Sequence, residues 1–123
     1  MRRIATIRIE RDTSAALERG ARRFVRAWKS AKDLGSDFSF ESPEALFRSL
    51  TPARWAVVER LQAIGASTLR GLARELGRDV KSVHRDVHAL IAIGLVEKDG
   101  KGRLLVPFSR IRAEFDLQAK RAA

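Results

Sequence analysis

The chain has no cysteine. That removes disulfides, thiolate metal sites and thiol catalysis together, and it suits a reducing cytoplasm. No stretch approaches the ~20 apolar residues of a membrane-spanning helix. The opening "MRRIATIRIE" has an arginine pair but no apolar core of signal-peptide length. A soluble, cytoplasmic protein without a membrane partner is therefore expected. Catalytic signatures are missing as well: there is no glycine-rich phosphate loop, no nucleophile elbow and no carboxylate pair clustered in an apolar setting. Neither an enzyme nor a cofactor is expected. Acidic residues are scarce beside basic ones, with 15 Asp plus Glu against 25 Lys plus Arg, a formal charge of +10. Such a surface attracts polyanions. Nucleic acid is the commonest, because neutralised phosphates release counterions, but anionic membrane and acidic proteins share the attraction.

What is present is enough apolar material for a core. With 45% hydrophobic and 33% charged residues over 123 positions, the chain reads as one folded, helix-rich unit with room for an extra arm. Residues 3–9, "RIATIRI", alternate so that Ala5, Ile7 and Ile9 share one face and Thr6 and Arg8 the other, as in a half-buried strand. Asp12, Thr13 or Ser14 then opens a helix from about Ser14 to Ala31, with Leu17, Ala21, Phe24, Val25 and Trp28 at helical spacing. Arg19, Arg22, Arg23, Arg26 and Lys29 stripe its other face, either as a solvated surface or as DNA backbone contacts. Gly35 ends this stretch. Phe38 and Phe40 alternate with Asp37, Ser39 and Glu41 in a second strand, and Pro43 suits the first turn of a short helix through Leu50. Residues 1–50 thus form a strand-helix-strand-helix arm.

From Thr51 the pattern changes to three closely spaced helices. Thr51 caps the first and Pro52 starts it; Trp55, Val57, Val58, Leu61 and Ile64 supply its apolar face. After Gly65, Ser67 or Thr68 caps a short second helix in which Leu69, Leu72, Ala73 and Leu76 recur at 0, 3, 4 and 7, closed by Gly77. Asp79 caps a third, where Val83, Val87, Leu90 and Ile91 recur at 0, 4, 7 and 8 and must face the core. Lys81, Ser82, His84, Arg85 and His88 are left mostly on the free side, and these side-chain types bond phosphate oxygens or base edges. A short helix, a tight turn and a longer helix with a polar face are the elements of a helix-turn-helix. After Gly94, "LVEK" and "RLLVPF" read as strands joined by "DGKG", a basic wing carrying Lys98, Lys101 and Arg103. In "RIRAEFDL", Ile111, Ala113, Phe115 and Leu117 share one face of a further strand, returning to the core or the arm over 108–118. Residues 119–123 read as a tail.

"LTPARWAVVERL", then "TLRGLARELGRDVKSVHRDVHALIAIGLVEK", then the glycine-bearing wing resemble the winged helix-turn-helix of MarR-like regulators across residues 51–107. The whole layout is similar to small DNA-binding proteins often encoded beside a candidate toxin. The resemblance implies an α+β fold, a winged helix-turn-helix with the N-terminal arm, and autorepression of an operon. A long C-terminal dimerisation helix of the MarR kind is not recognisable, so dimerisation falls to the arm. The expected function is a sequence-specific transcriptional regulator binding double-stranded DNA as a homodimer. Two alternatives stand beside it: an antitoxin-like module that binds a neighbouring toxin protein, and a sequence-tolerant architectural nucleic-acid-binding protein. The expected contacts are Lys81, Ser82, His84, Arg85 and His88 on the third helix, Ser67, Thr68, Arg70 and Arg78 on the second helix and turn, and Lys98, Lys101 and Arg103 on the wing. His84 and His88 also have the i, i+4 spacing of metal ligands, but with no third ligand nearby no metal is expected. Arg74 and Arg78 can instead make surface ion pairs with Glu75 and Asp79.

Overall fold

The computed structural model describes residues 3–10 and 36–119. The helix expected over 14–31, with its basic stripe, lies outside them. The described residues form a small α+β unit of four helices, a three-stranded parallel sheet and a two-stranded hairpin. In chain order these are β1 (Ile4–Ile9), β2 (Ser36–Phe40), α1 (Pro43–Ser49), α2 (Pro52–Ile64), α3 (Leu69–Leu76), α4 (Val80–Ile93), β3 (Glu97–Lys98), β4 (Leu104–Leu105) and β5 (Arg110–Glu114).

The helices begin where polar caps satisfy their first amides. Ser42 accepts from Ala45 N, Thr51 from Arg54 N, Thr68 from Gly71 N and Asp79 from Ser82 N. Each such cap stabilises its helix by about 1 kcal/mol. α3 and α4 end at glycines where the chain reverses: Gly77 and Gly94 are both left-handed, at φ +65° and +107°. At Gly94 space is also short, since a Cβ would stand 3.1 Å from the Phe38 ring. That approach seats the end of α4 against the sheet.

The core forms where α2, α3 and α4 pack together. Val57, Val58 and Leu61 from α2, Leu72 and Ala73 from α3, and Val83, Val87 and Leu90 from α4 are buried, and Leu95, Val96, Leu104 and Phe108 close it from the hairpin side. Burying a side chain of this size contributes about 1.5–3 kcal/mol, which makes this cluster the main source of stability. Ile64, at the end of α2, departs from the expected apolar face and is 39% exposed.

β1 is the central strand of the order β2-β1-β5, parallel to both neighbours. Ala5 and Ile7 are completely buried, on the face the alternation assigned them, and Phe38 and Phe40 pack against the same core. Phe38 meets the Phe108 ring edge to face at 5.8 Å. β5 pairs with β1 from Ile4↔Arg110 to Arg8↔Glu114. The apolar face expected along it is only partly covered: Ile111 packs against the core, Ala113 is exposed, and Phe115 and Leu117 are 38% and 75% exposed. The pairing ends at Glu114, so the alternation runs on past the sheet.

The hairpin is tied to the helices by a contact that sequence periodicity did not signal. Ser67, between α2 and α3, bridges Leu104 of β4 with both backbone hydrogen bonds, at 2.9 and 2.7 Å. No helix among the described residues is long and apolar enough to cross a membrane.

Candidate nucleic-acid interface

α4 has two chemically distinct sides. Val83, Val87 and Leu90 lock one into the core, while Lys81, His84, Arg85 and His88 are all exposed on the other. Among the described residues Lys81 and Arg85 have no ion-pair partner, so both cations are available to an anionic ligand. The His84 and His88 rings lie nearly parallel with centroids 6.1 Å apart. No group of three or more metal-ligating side chains occurs among the described residues.

Ser82 and Arg78 have different surroundings. Ser82 is half-buried, and its hydroxyl accepts from Arg78 Nη2 at 2.6 Å. The same Nη2 donates to Asp86 Oδ2 at 2.7 Å, while Arg54 Nε of α2 donates to Asp86 Oδ1 at 3.1 Å. Arg54 also donates to the Ser49 carbonyl at 2.8 Å. Arg78 is therefore a strut between the turn and α4. The surface pairs considered for this region do not form: Asp79 caps α4, and Glu75 pairs with Arg60 of α2 at 3.7 Å.

Asp86 is the residue that sequence reasoning missed. It is 8% exposed, the buried charged residue of the described core, flanked by two guanidinium groups. Burial pushes its carboxyl up, but the hydrogen bonds and charges of Arg78 and Arg54 outweigh burial and hold it below the usual carboxylate range. The signal was present: Asp86 lies three residues after Val83 and beside Val87, on the inward side of the helix. An acidic residue there needs cationic partners from neighbouring elements.

The start of α3 is built from small polar groups. Thr68 is exposed and caps the helix; Ser67 is half-buried and its hydroxyl donates to the Thr68 carbonyl at 3.0 Å. Arg70 is exposed on the first turn. A Cβ at Gly71 would come within 2.9 Å of Ser67 Oγ, so the glycine lets the two hydroxyls sit against the helix start.

In the hairpin, Asp99 organises the turn. It accepts from the backbone amides of Lys101 and Arg103 at 2.9 and 2.8 Å and from Arg103 Nε at 2.9 Å. The amide of Arg103 leads the causes that hold the Asp99 carboxyl below its ordinary range. Arg103 is thus partly neutralised. Lys98 and Lys101 are exposed and make no ion pair among the described residues.

Residues 49–113 match the family model HVO_A0114, a little more than half of the chain. The match begins just before α2 and extends into β5, so it takes in α2 to α4 and the hairpin. No curated protein and no solved structure matches the chain.

Proposed function

We propose that this chain, which belongs to the HVO_A0114 family, is a sequence-specific double-stranded DNA-binding regulator whose α2, α3, α4 and hairpin act as a winged helix-turn-helix. The observation that carries the reading is the two-sided character of α4. One side is fixed by Val83, Val87 and Leu90, and the other offers Lys81, His84, Arg85 and His88 to solvent. A helix held this way can enter a major groove without unfolding its own core. The Ser67–Leu104 bridge adds support, because it braces the hairpin against the start of α3. The resemblance to MarR-like regulators read from the sequence of residues 51–107 supports the same proposal.

In this reading Arg85 reads a base edge, bidentate to guanine where the register permits, and His84 and His88 donate or accept alongside it. Lys81, Thr68 and Arg70 hold phosphates near the helix ends, and Lys98 and Lys101 do so from the hairpin. Arg78 and Ser82 act by positioning α4, since both are engaged with each other and with Asp86. One reading head buries little DNA, so a homodimer places two α4 helices in successive major grooves about 34 Å apart.

The test is selection of genomic fragments by the purified protein at near-physiological salt with excess competitor DNA, followed by sequencing. The expected result is a shared two-fold motif, including one upstream of the protein's own gene. Recovery of unbiased fragments replaces this reading with sequence-tolerant binding, and recovery of none with a protein-interaction module.

A further inference from the structure

The order β2-β1-β5 leaves β5 with one strand neighbour among the described residues, none of which forms a strand against the backbone groups on its outer side. Arg110, Arg112, Ala113 and Glu114 are exposed along it. An open edge is a template for another strand. Charged side chains usually protect such an edge, because a run of one sign repels its own copy. Here the charges are arranged the other way.

Residues 110–116 read Arg-Ile-Arg-Ala-Glu-Phe-Asp. Two cations precede the central alanine, two anions follow it, and each half holds one large apolar residue. Laid antiparallel on its own copy about Ala113, the segment sets Arg112 opposite Glu114, Arg110 opposite Asp116 and Ile111 opposite Phe115, each of them twice. Directly opposed side chains of a sheet interact most strongly, and opposite charges or apolar pairs are favourable there. Moving the axis to Arg112 or Glu114 sets like charges against each other. A one-residue slip puts apolar side chains on the charged face. The centred register alone satisfies every pair.

We propose that β5 is a self-recognition strand: a second copy of this chain adds antiparallel at this edge, with the two-fold axis at Ala113, and the two sheets become one of six strands. The apolar surroundings fit the same occupant. Phe115 contacts Phe47 of α1 edge to face at 6.4 Å, yet the two rings remain 38% and 58% exposed. Pairing extends the strand through Phe115 and covers that rim. Glu114, already 3.5 Å from Arg8, is half exposed and retains acceptor capacity for the arriving Arg112. The inference goes beyond the DNA-binding reading and stands whether or not the chain binds DNA.

The experiment uses the full chain, with circular dichroism confirming that each variant is folded. Sedimentation of the wild-type protein at tens of micromolar is expected to give a dimer. Arg110→Asp and Asp116→Arg each oppose like charges and shift it to monomer, while the double variant R110D/D116R restores the dimer. The cysteine-free background permits a second readout. Opposed residues have Cα atoms ~4.5–5.5 Å apart, within disulfide range, so Ala113→Cys is expected to cross-link two chains under mild oxidation. Arg110→Cys is not, because its copies lie ~20 Å apart along the strands. A monomeric wild-type chain, or a dimer in which the Ala113→Cys thiols stay unbridged, overturns the proposal.

Discussion

Replacing Asp86 with alanine strands two guanidinium groups at once. Arg54 and Arg78 lose charge-assisted hydrogen bonds of 3.1 and 2.7 Å, each contributing about 1.5–3 kcal/mol when the partner is ionised. The three side chains are 12–27% exposed, so water recovers part of the loss and the full ~3–5 kcal/mol of a deeply buried pair is not reached. Arg54 also keeps the Ser49 carbonyl. Asp86→Ala is therefore expected to cost about 2 kcal/mol, read by urea unfolding followed by circular dichroism. The pH dependence gives an independent check. The folded carboxyl titrates below its ordinary value, so its contribution is complete above about pH 4 and is lost as pH falls through the folded value. The gap between wild type and Asp86→Ala is thus widest at pH 7 and narrows below about pH 4. A gap under ~1 kcal/mol at pH 7, or one that persists unchanged in acid, refutes the assignment of Asp86 as an ionised strut.

Three further outcomes are expected. Arg85→Ala lowers DNA affinity and relaxes specificity at one base position by ~1–3 kcal/mol, whereas equal weakening on every sequence makes Arg85 a phosphate contact. Lys101→Ala reduces the slope of log affinity against log salt by about one unit; Arg103→Ala changes it less, because Asp99 already partners that cation, and an unchanged slope for Lys101→Ala removes the hairpin from the contact surface. Val83→Asp, at a fully buried position, abolishes cooperative unfolding because an unpaired charge enters the core, and a normally folded variant means that the two faces of α4 are inverted.

The parts of the fold legible in the sequence are those governed by local chemistry. Thr51, Thr68 and Asp79 act as caps and Gly77 as a left-handed stop, because a cap or a stop depends on a few neighbouring residues. Ala5, Ile7, Val83, Val87 and Leu90 are buried as their spacing required. What was not legible depends on partners distant in the chain. Asp86 reads as one more helix polar residue until Arg54, 32 positions earlier, is brought to it. The Ser67–Leu104 bridge is a single residue pair and leaves no periodicity. Arg78 and Ser82 look like surface donors in isolation, and only the turn geometry directs them to each other. The exposure of Phe115 and Leu117 followed from where the pairing with β1 stops, at Glu114, which no alternation within β5 encodes.

The parallel neighbours of β1 also set an order of events during synthesis. Its flanking strands are β2, some 30 residues later, and β5, whose approach brings Ser109 N to the Arg3 carbonyl at 2.9 Å across almost the whole chain. The β5 side of β1 therefore has no cognate strand until residues 110–114 leave the ribosome, by which time α2, α3 and α4 have all been made. Contacts of such separation form late, after local ones have shortened the effective loop. The helical core is thus the template on which the sheet closes, and a chain that ends before Arg110 leaves β1 without its second neighbour.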